Sequence, residues 1–138
     1  MTGKTHLSFD IATSLLICGD VVSSIVLSIG SILPDIDNRN SLLGKTLPFV
    51  SKLIKHRTLT HSLIFLAICY FINFYLFVGC ALHVVLDMLT KSGCQLFYPV
   101  NLNIRFPFAK YIRTGGKFEN ILFFISTILI VLLVILIF

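Results

Sequence analysis

Four apolar tracts divide the chain, with two polar stretches between them. Residues 7–18 (LSFDIATSLLIC) and 21–34 (VVSSIVLSIGSILP) are short, residues 62–89 are long, and residues 118–138 run to the end of the sequence. From Ile121 onward the last tract holds no charge for eighteen residues. That is about 27 Å of helix, enough to cross a bilayer core, and it reads as a clean membrane-spanning helix. Gly19-Asp20 interrupts the first two tracts. An aspartate left in mid-span would be costly, so the pair reads as a tight helical hairpin with arms of about 18 to 20 Å. The 62–89 tract reads either as one full span or as a second hairpin turning between Asn73 and Gly79.

The polar stretches, 35–61 and 90–117, carry ten of the eleven Lys and Arg residues; the exception is Lys4. Basic loops stay on the cytoplasmic side, which places both stretches there. The rest of the composition agrees with a membrane protein. The chain has 138 residues, 57% of them hydrophobic, and a mean hydropathy of +0.97, far above a soluble average. That length predicts one membrane-embedded domain, 1–138. The net charge of +5 is spread along the loops and does not form the dense stripe that nucleic acid requires. Cys18, Cys69, Cys80 and Cys94 form no CxxC pair and read as small hydrophobes. The N-terminus mimics a signal peptide only weakly, because it holds Asp10 and lacks a small-x-small cleavage site; it reads as the first helix of the mature protein.

Against so apolar a background the few ionisable residues stand out. HRTLTH at 56–61 puts two of the four histidines five residues apart, beside Arg57. PDID at 34–37 places Asp35 and Asp37 where the second tract ends. HVVLD at 83–87 sets His83 and Asp87 one turn apart on one helical face. His6 opens the first tract and Glu119 the last. With two hairpins, all these groups fall at helix ends on one membrane face; with a single span over 62–89, His61 and the 83–87 exit part company. Co-localisation therefore favours the hairpin. Four imidazoles and four carboxylates gathered there exceed what Arg57 can neutralise. A divalent metal satisfies them, zinc first, with manganese or iron as carboxylate ligation grows. Each residue also has a plainer use. His6 can be an exposed terminal histidine, Asp35 and Asp37 can cap a turn, Asp37 can orient a ligand without binding metal, His56 and Arg57 can belong to a basic loop, and Glu119 can be the acid that favours a helix start. Asp10, one turn from His6, can orient its ring.

His6, Gly30 with PDID at 34–37, HRTLTHS at 56–62, HVVLD at 83–87 with TKSG at 90–93, and TGGKFE at 114–119 occur in this order over nearly the whole chain. In them the sequence resembles the LexA-regulated, membrane-bound predicted metal-dependent hydrolases, small bacterial inner-membrane proteins. The resemblance implies a metal set of His6, Asp35, His61, His83, Asp87 and Glu119, with Asp37, His56, Arg57 and Thr60 as near neighbours; on the residues alone His56 also reads as a metal ligand, weaker than His61. The resemblance also implies phosphoester hydrolysis.

The expected protein is thus an all-α, multi-pass inner-membrane protein. It has two short helical hairpins, a C-terminal transmembrane helix and a polar metal cluster at the cytoplasmic face. Asp37 or Glu119 would serve as base and Arg57 as a phosphoryl clamp. The substrate would be a membrane lipid or lipid-linked phosphoester, with no nucleic-acid partner. A metal-stabilised structural or regulatory protein is the alternative; a metal-ion or proton transporter fits less well, since it would string its polar groups through the membrane depth. Oligomeric state is not legible.

Overall fold

The structure, a computed structural model, describes residues 1–137; Phe138, the last residue of the fourth tract, lies outside the described residues. The described residues form seven α-helices: α1 (Gly3–Ile17), α2 (Val21–Ile32), α3 (Leu42–Thr46), α4 (Val50–Leu53), α5 (Leu63–Ile72), α6 (Phe74–Met88) and α7 (Lys117–Ile137). Three 3-10 turns, Pro34–Asp37, Leu59–His61 and Pro107–Tyr111, join them. Among the described residues the one β feature is an isolated antiparallel bridge between Cys94 and Ile104.

Both hairpins form, and their turns have local causes. α1 stops at Cys18, and the Asp20 carboxylate caps α2 by accepting from the Ser23 N–H at 2.8 Å. The 62–89 tract breaks at Asn73, whose extended backbone (φ −163) ends α5. Its side-chain oxygen starts α6 by accepting from Tyr75 N at 2.8 Å and Leu76 N at 3.3 Å. The turn therefore sits at Asn73 alone, and Gly79 lies inside α6. Gly79 has a different use: it and Gly30 let α6 and α2 touch backbone to backbone. A Cβ on Gly30 would overlap the Leu76 carbonyl, and one on Gly79 would overlap the Leu27 carbonyl.

The long helices pack in the order α7, α1, α2, α6, α5. Because each hairpin reverses the chain, the starts of α1, α5 and α7 and the ends of α2 and α6 meet at one end. Contacts across that end tie the Thr2 N–H to Glu119, His6 to Asp87, and Asp35 to His83. α7 is the one described helix long and apolar enough to cross a membrane unaided. Leu16, near the end of α1, lines a small cavity together with Leu129, so the last two turns of α7 run on beyond the first hairpin.

Burial is inverted relative to a soluble bundle. Large apolar side chains face outward, among them Phe71, Phe124, Ile128, Leu132 and Leu136. His6, His61, His83, Asp37, Asp87 and Glu119 are each no more than 3% exposed. A small apolar core of Leu66, Cys69, Cys80, Val84 and Cys94 packs α5 against α6. Apolar faces turned outward around a polar interior are what a lipid environment permits and water penalises.

Candidate metal centre

α6 supplies the fixed point of the cluster. His83 Nδ1 lies 2.5 Å from the Ser31 carbonyl oxygen of α2 and donates to it. That bond leaves Nε2 as the lone-pair nitrogen. Nε2 is buried, has no hydrogen-bond partner, and faces Asp35 Oδ1 at 3.7 Å. His61, ending the Leu59–His61 turn, is held the same way. Its Nδ1 is 3.0 Å from Thr60 Oγ1 and 3.5 Å from Asp37 Oδ2. Its Nε2, also buried and without a hydrogen bond, points at Asp87 Oδ2 across 3.6 Å. His6 comes in from α1 with its ring stacked on His83 at 3.8 Å and its Nε2 3.3 Å from Asp87 Oδ1.

Three imidazole Nε2 atoms without hydrogen-bond partners thus converge with the Asp35 and Asp87 carboxylates. Buried polar atoms are rarely left so unless something else binds them. Two overlapping sets, His6–His83–Asp87 and Asp35–His61–His83, bring one ligand atom per residue within 4.8 Å of one another. Asp35, Asp37 and His56 make a third. Imidazole nitrogen with carboxylate oxygen is a donor set that fits zinc, manganese or iron. His83 belongs to both of the first two sets, so it is the hinge of the arrangement.

Asp37 organises the HRTLTH segment. Its Oδ1 meets His56 Nδ1 at 2.7 Å, and its Oδ2 accepts from Thr60 Oγ1 at 2.6 Å and from the Arg57 backbone N–H at 3.0 Å. Burial alone would push this carboxyl up, but the bonds from His56, His61 and Thr60 hold it well below the usual carboxylate range. Burial likewise pulls His61 down, and its contacts with Asp37 and Asp87 more than reverse that. Asp35 has no such help: burial raises it, His6 opposes, and Asp87 adds to the rise. Among the described residues no protein hydrogen bond reaches the Asp35 side chain.

Arg57 adopts φ 65, a left-handed conformation that costs a branched or long side chain about 1 to 3 kcal/mol. Two backbone bonds impose it: Arg57 N to Asp37, and Gln95 N to the Arg57 carbonyl at 3.0 Å. The result is a guanidinium turned onto Asp87, with Nη2 donating to Oδ1 at 2.9 Å and Nε 2.8 Å from Oδ2. Its partner is therefore Asp87, and neither Asp35 nor Asp37 receives the guanidinium; Asp37 meets only the Arg57 backbone N–H.

Glu119 stands apart from the three converging sets. Its Oε1 accepts from Thr2 N at 2.6 Å, from the Thr2 hydroxyl, and from Thr5 Oγ1 at 2.9 Å; its Oε2 accepts from Gly115 N at 2.7 Å. It fastens the first turn of α1, so His6 is buried and not an exposed terminal residue, and the Met1 ammonium meets Asp87 Oδ1. Asp10 is fully buried and its two oxygens have no hydrogen-bond partner. The Ser31 carbonyl was missed in the sequence, since no side chain signals which backbone oxygen will orient a ring. Thr2 and Thr5 were missed too; hydroxyls one turn apart beside a candidate ligand were the available sign.

A family model described as YdjM inner membrane protein matches the chain over residues 1–138. YvsG of Bacillus subtilis (strain 168) is 32% identical to it, with 88% of this chain and 86% of the relative covered. The inner membrane proteins YdjM of Escherichia coli (strain K12) and of Shigella flexneri are each 34% identical, over 78% of this chain and 70% of theirs. No solved structure matches the chain.

Proposed function

The chain belongs to the YdjM inner membrane protein family, and on that premise we propose that it is a metal-dependent hydrolase of the inner membrane that cleaves a lipid or lipid-linked phosphoester at the cytoplasmic face. The carrying observation is the convergence of the His6, His61 and His83 Nε2 atoms, none of them hydrogen-bonded, on Asp35 and Asp87. The whole of 1–138 acts as one membrane-embedded domain, with α7 as its span and the hairpins beside it. LexA control of expression, implied by the same resemblance, belongs to this proposal.

His6, His61, His83, Asp35 and Asp87 hold the ion, zinc before manganese or iron. A bound ion of this kind polarises a phosphoryl oxygen and acidifies water near neutral pH. Asp37 and Ser31 orient His61 and His83 through their Nδ1 atoms. Asp35, which accepts no protein hydrogen bond among the described residues, keeps its carboxylate for the ion. Arg57 neutralises Asp87 through Nε and Nη2, which leaves Nη1 as the guanidinium nitrogen that can donate to a phosphoryl oxygen. Glu119 works at one remove, by fixing α1 and with it His6. His56 lies half-exposed beside Asp37.

The test uses detergent-purified protein loaded with zinc or manganese and assayed on phospholipid micelles and on a panel of soluble phosphomonoesters and diesters. Turnover that appears with the ion and vanishes on chelation is expected. Folded, metal-loaded protein inert toward the whole panel would overturn the hydrolase reading in favour of a metal that clasps helices together.

A further inference from the structure

An open groove of about 580 Å³ runs between α1 and α2, lined along its length by Leu7, Ile11, Ile25 and Ile29 among others. We propose that this groove holds an acyl chain of an anionic phospholipid whose phosphoester lies at the His6–His61–His83 cluster, a refinement that rests on the hydrolase reading above.

Three observations select this occupant. The first is position. The groove reaches Leu7 and Ile32 at one end, adjacent in the chain to His6 and three residues before Asp35, and Gly19 and Asp20, the hairpin turn, at the other. From Leu7 to Cys18 the groove is about 17 Å long at the helical rise, a length suited to a fatty chain running into the membrane from a headgroup at the cluster.

The second is polarity. Ser14, Ser24 and Ser28 line the groove, but each hydroxyl donates to its own helix: Ser14 to Ile11 O at 2.9 Å, Ser24 to Asp20 O at 3.0 Å, and Ser28 to Ser24 O at 2.9 Å. With those donors already used, the walls offer almost nothing to a polar ligand and favour a hydrocarbon. The third is charge. The loops at the cluster end carry ten of the eleven Lys and Arg residues, which draws an anionic headgroup to the Leu7 and Ile32 end of the groove.

The experiment reconstitutes the metal-loaded protein in vesicles of an anionic phospholipid bearing a diazirine midway along one chain. Ser28→Phe and Ser24→Phe each put a ring into the groove, and each is first checked for unchanged melting temperature and metal content. Saturable photolabelling of residues 7–32 is expected, at several times the level on the outward face of α5, falling at least fivefold in whichever filled variant folds. On the enzymatic side, the filled variants should raise KM at least tenfold for the long-chain lipid and leave a soluble short-chain ester with the same headgroup unaffected. Labelling of the groove without turnover of any ester would retain the groove and remove the hydrolase. Turnover that ignores both ring substitutions, with labelling no higher than on α5, would remove the groove and retain the hydrolase. Intermolecular crosslinks through residues 7–32 in place of lipid labelling would assign the groove to a second copy of the chain and end the proposal.

Discussion

Replacing His83 with Ala is expected to strip the protein of its metal. Its Nε2 is shared by the His6–His83–Asp87 and Asp35–His61–His83 sets, so a single truncation removes a ligand from both. Losing even a residue that only orients a ligand costs about ten- to a hundredfold in affinity; losing the shared ligand should exceed a hundredfold. His6→Ala removes a member of one set and leaves the other whole, so a loss nearer tenfold is expected there. Competition against a chromophoric chelator measures both. His83→Ala protein that holds metal as tightly as the parent would mean that the Ser31-oriented ring is not a ligand at all.

The second large effect lies away from the cluster. Gly79→Leu should unfold the α2–α6 contact, because the added Cβ runs into the Leu27 carbonyl and the Ser31 and Gly30 backbone, none of which can rotate aside. Overpacking usually costs about 1 to 3 kcal/mol, and backbone obstruction belongs at or above the upper end. His83 sits one turn further along α6 and depends on Ser31 of α2, so metal affinity should fall with stability. Gly3→Ala, where a Cβ meets nothing within 4 Å, is the matched control and should leave the melting temperature unchanged or slightly raised. Equal melting temperatures for Gly79→Leu and the parent protein would contradict the close crossing.

The two hairpins and the long last helix were legible because their signals are local. Gly19-Asp20 and Asn73 are turn and capping residues set in apolar tracts, and a charge-free run to the end of the sequence has few other readings. That His6, Asp35, Asp37, His61, His83, Asp87 and Glu119 share one end followed from counting reversals. What the sequence did not carry was the division of labour among the acids. Asp37 and Glu119 look alike in a string of letters, each an acid at a helix end. The structure gives Asp37 to His56, Thr60 and the Arg57 backbone, and Glu119 to Thr2, Thr5 and Gly115, so the oxygens of both already have protein partners. Apart from Gly115, four residues before Glu119, those partners lie nineteen to 117 residues away, where periodicity says nothing. Gly79 shows the same limit. A glycine inside an apolar tract suits a turn as well as a helix crossing, and only the approach of α2 decides between them.

The central claim is that these buried histidines and aspartates exist to hold a divalent ion. Elemental analysis of detergent-purified protein, rinsed with a chelator until loosely held metal is gone, tests it directly. The account predicts close to one equivalent or more of zinc, manganese or iron in the folded parent protein. Folded protein with less than about a tenth of an equivalent of any divalent metal, and no uptake on incubation with zinc, would contradict it, because the buried imidazole nitrogens would then be left without the partner the account assigns them.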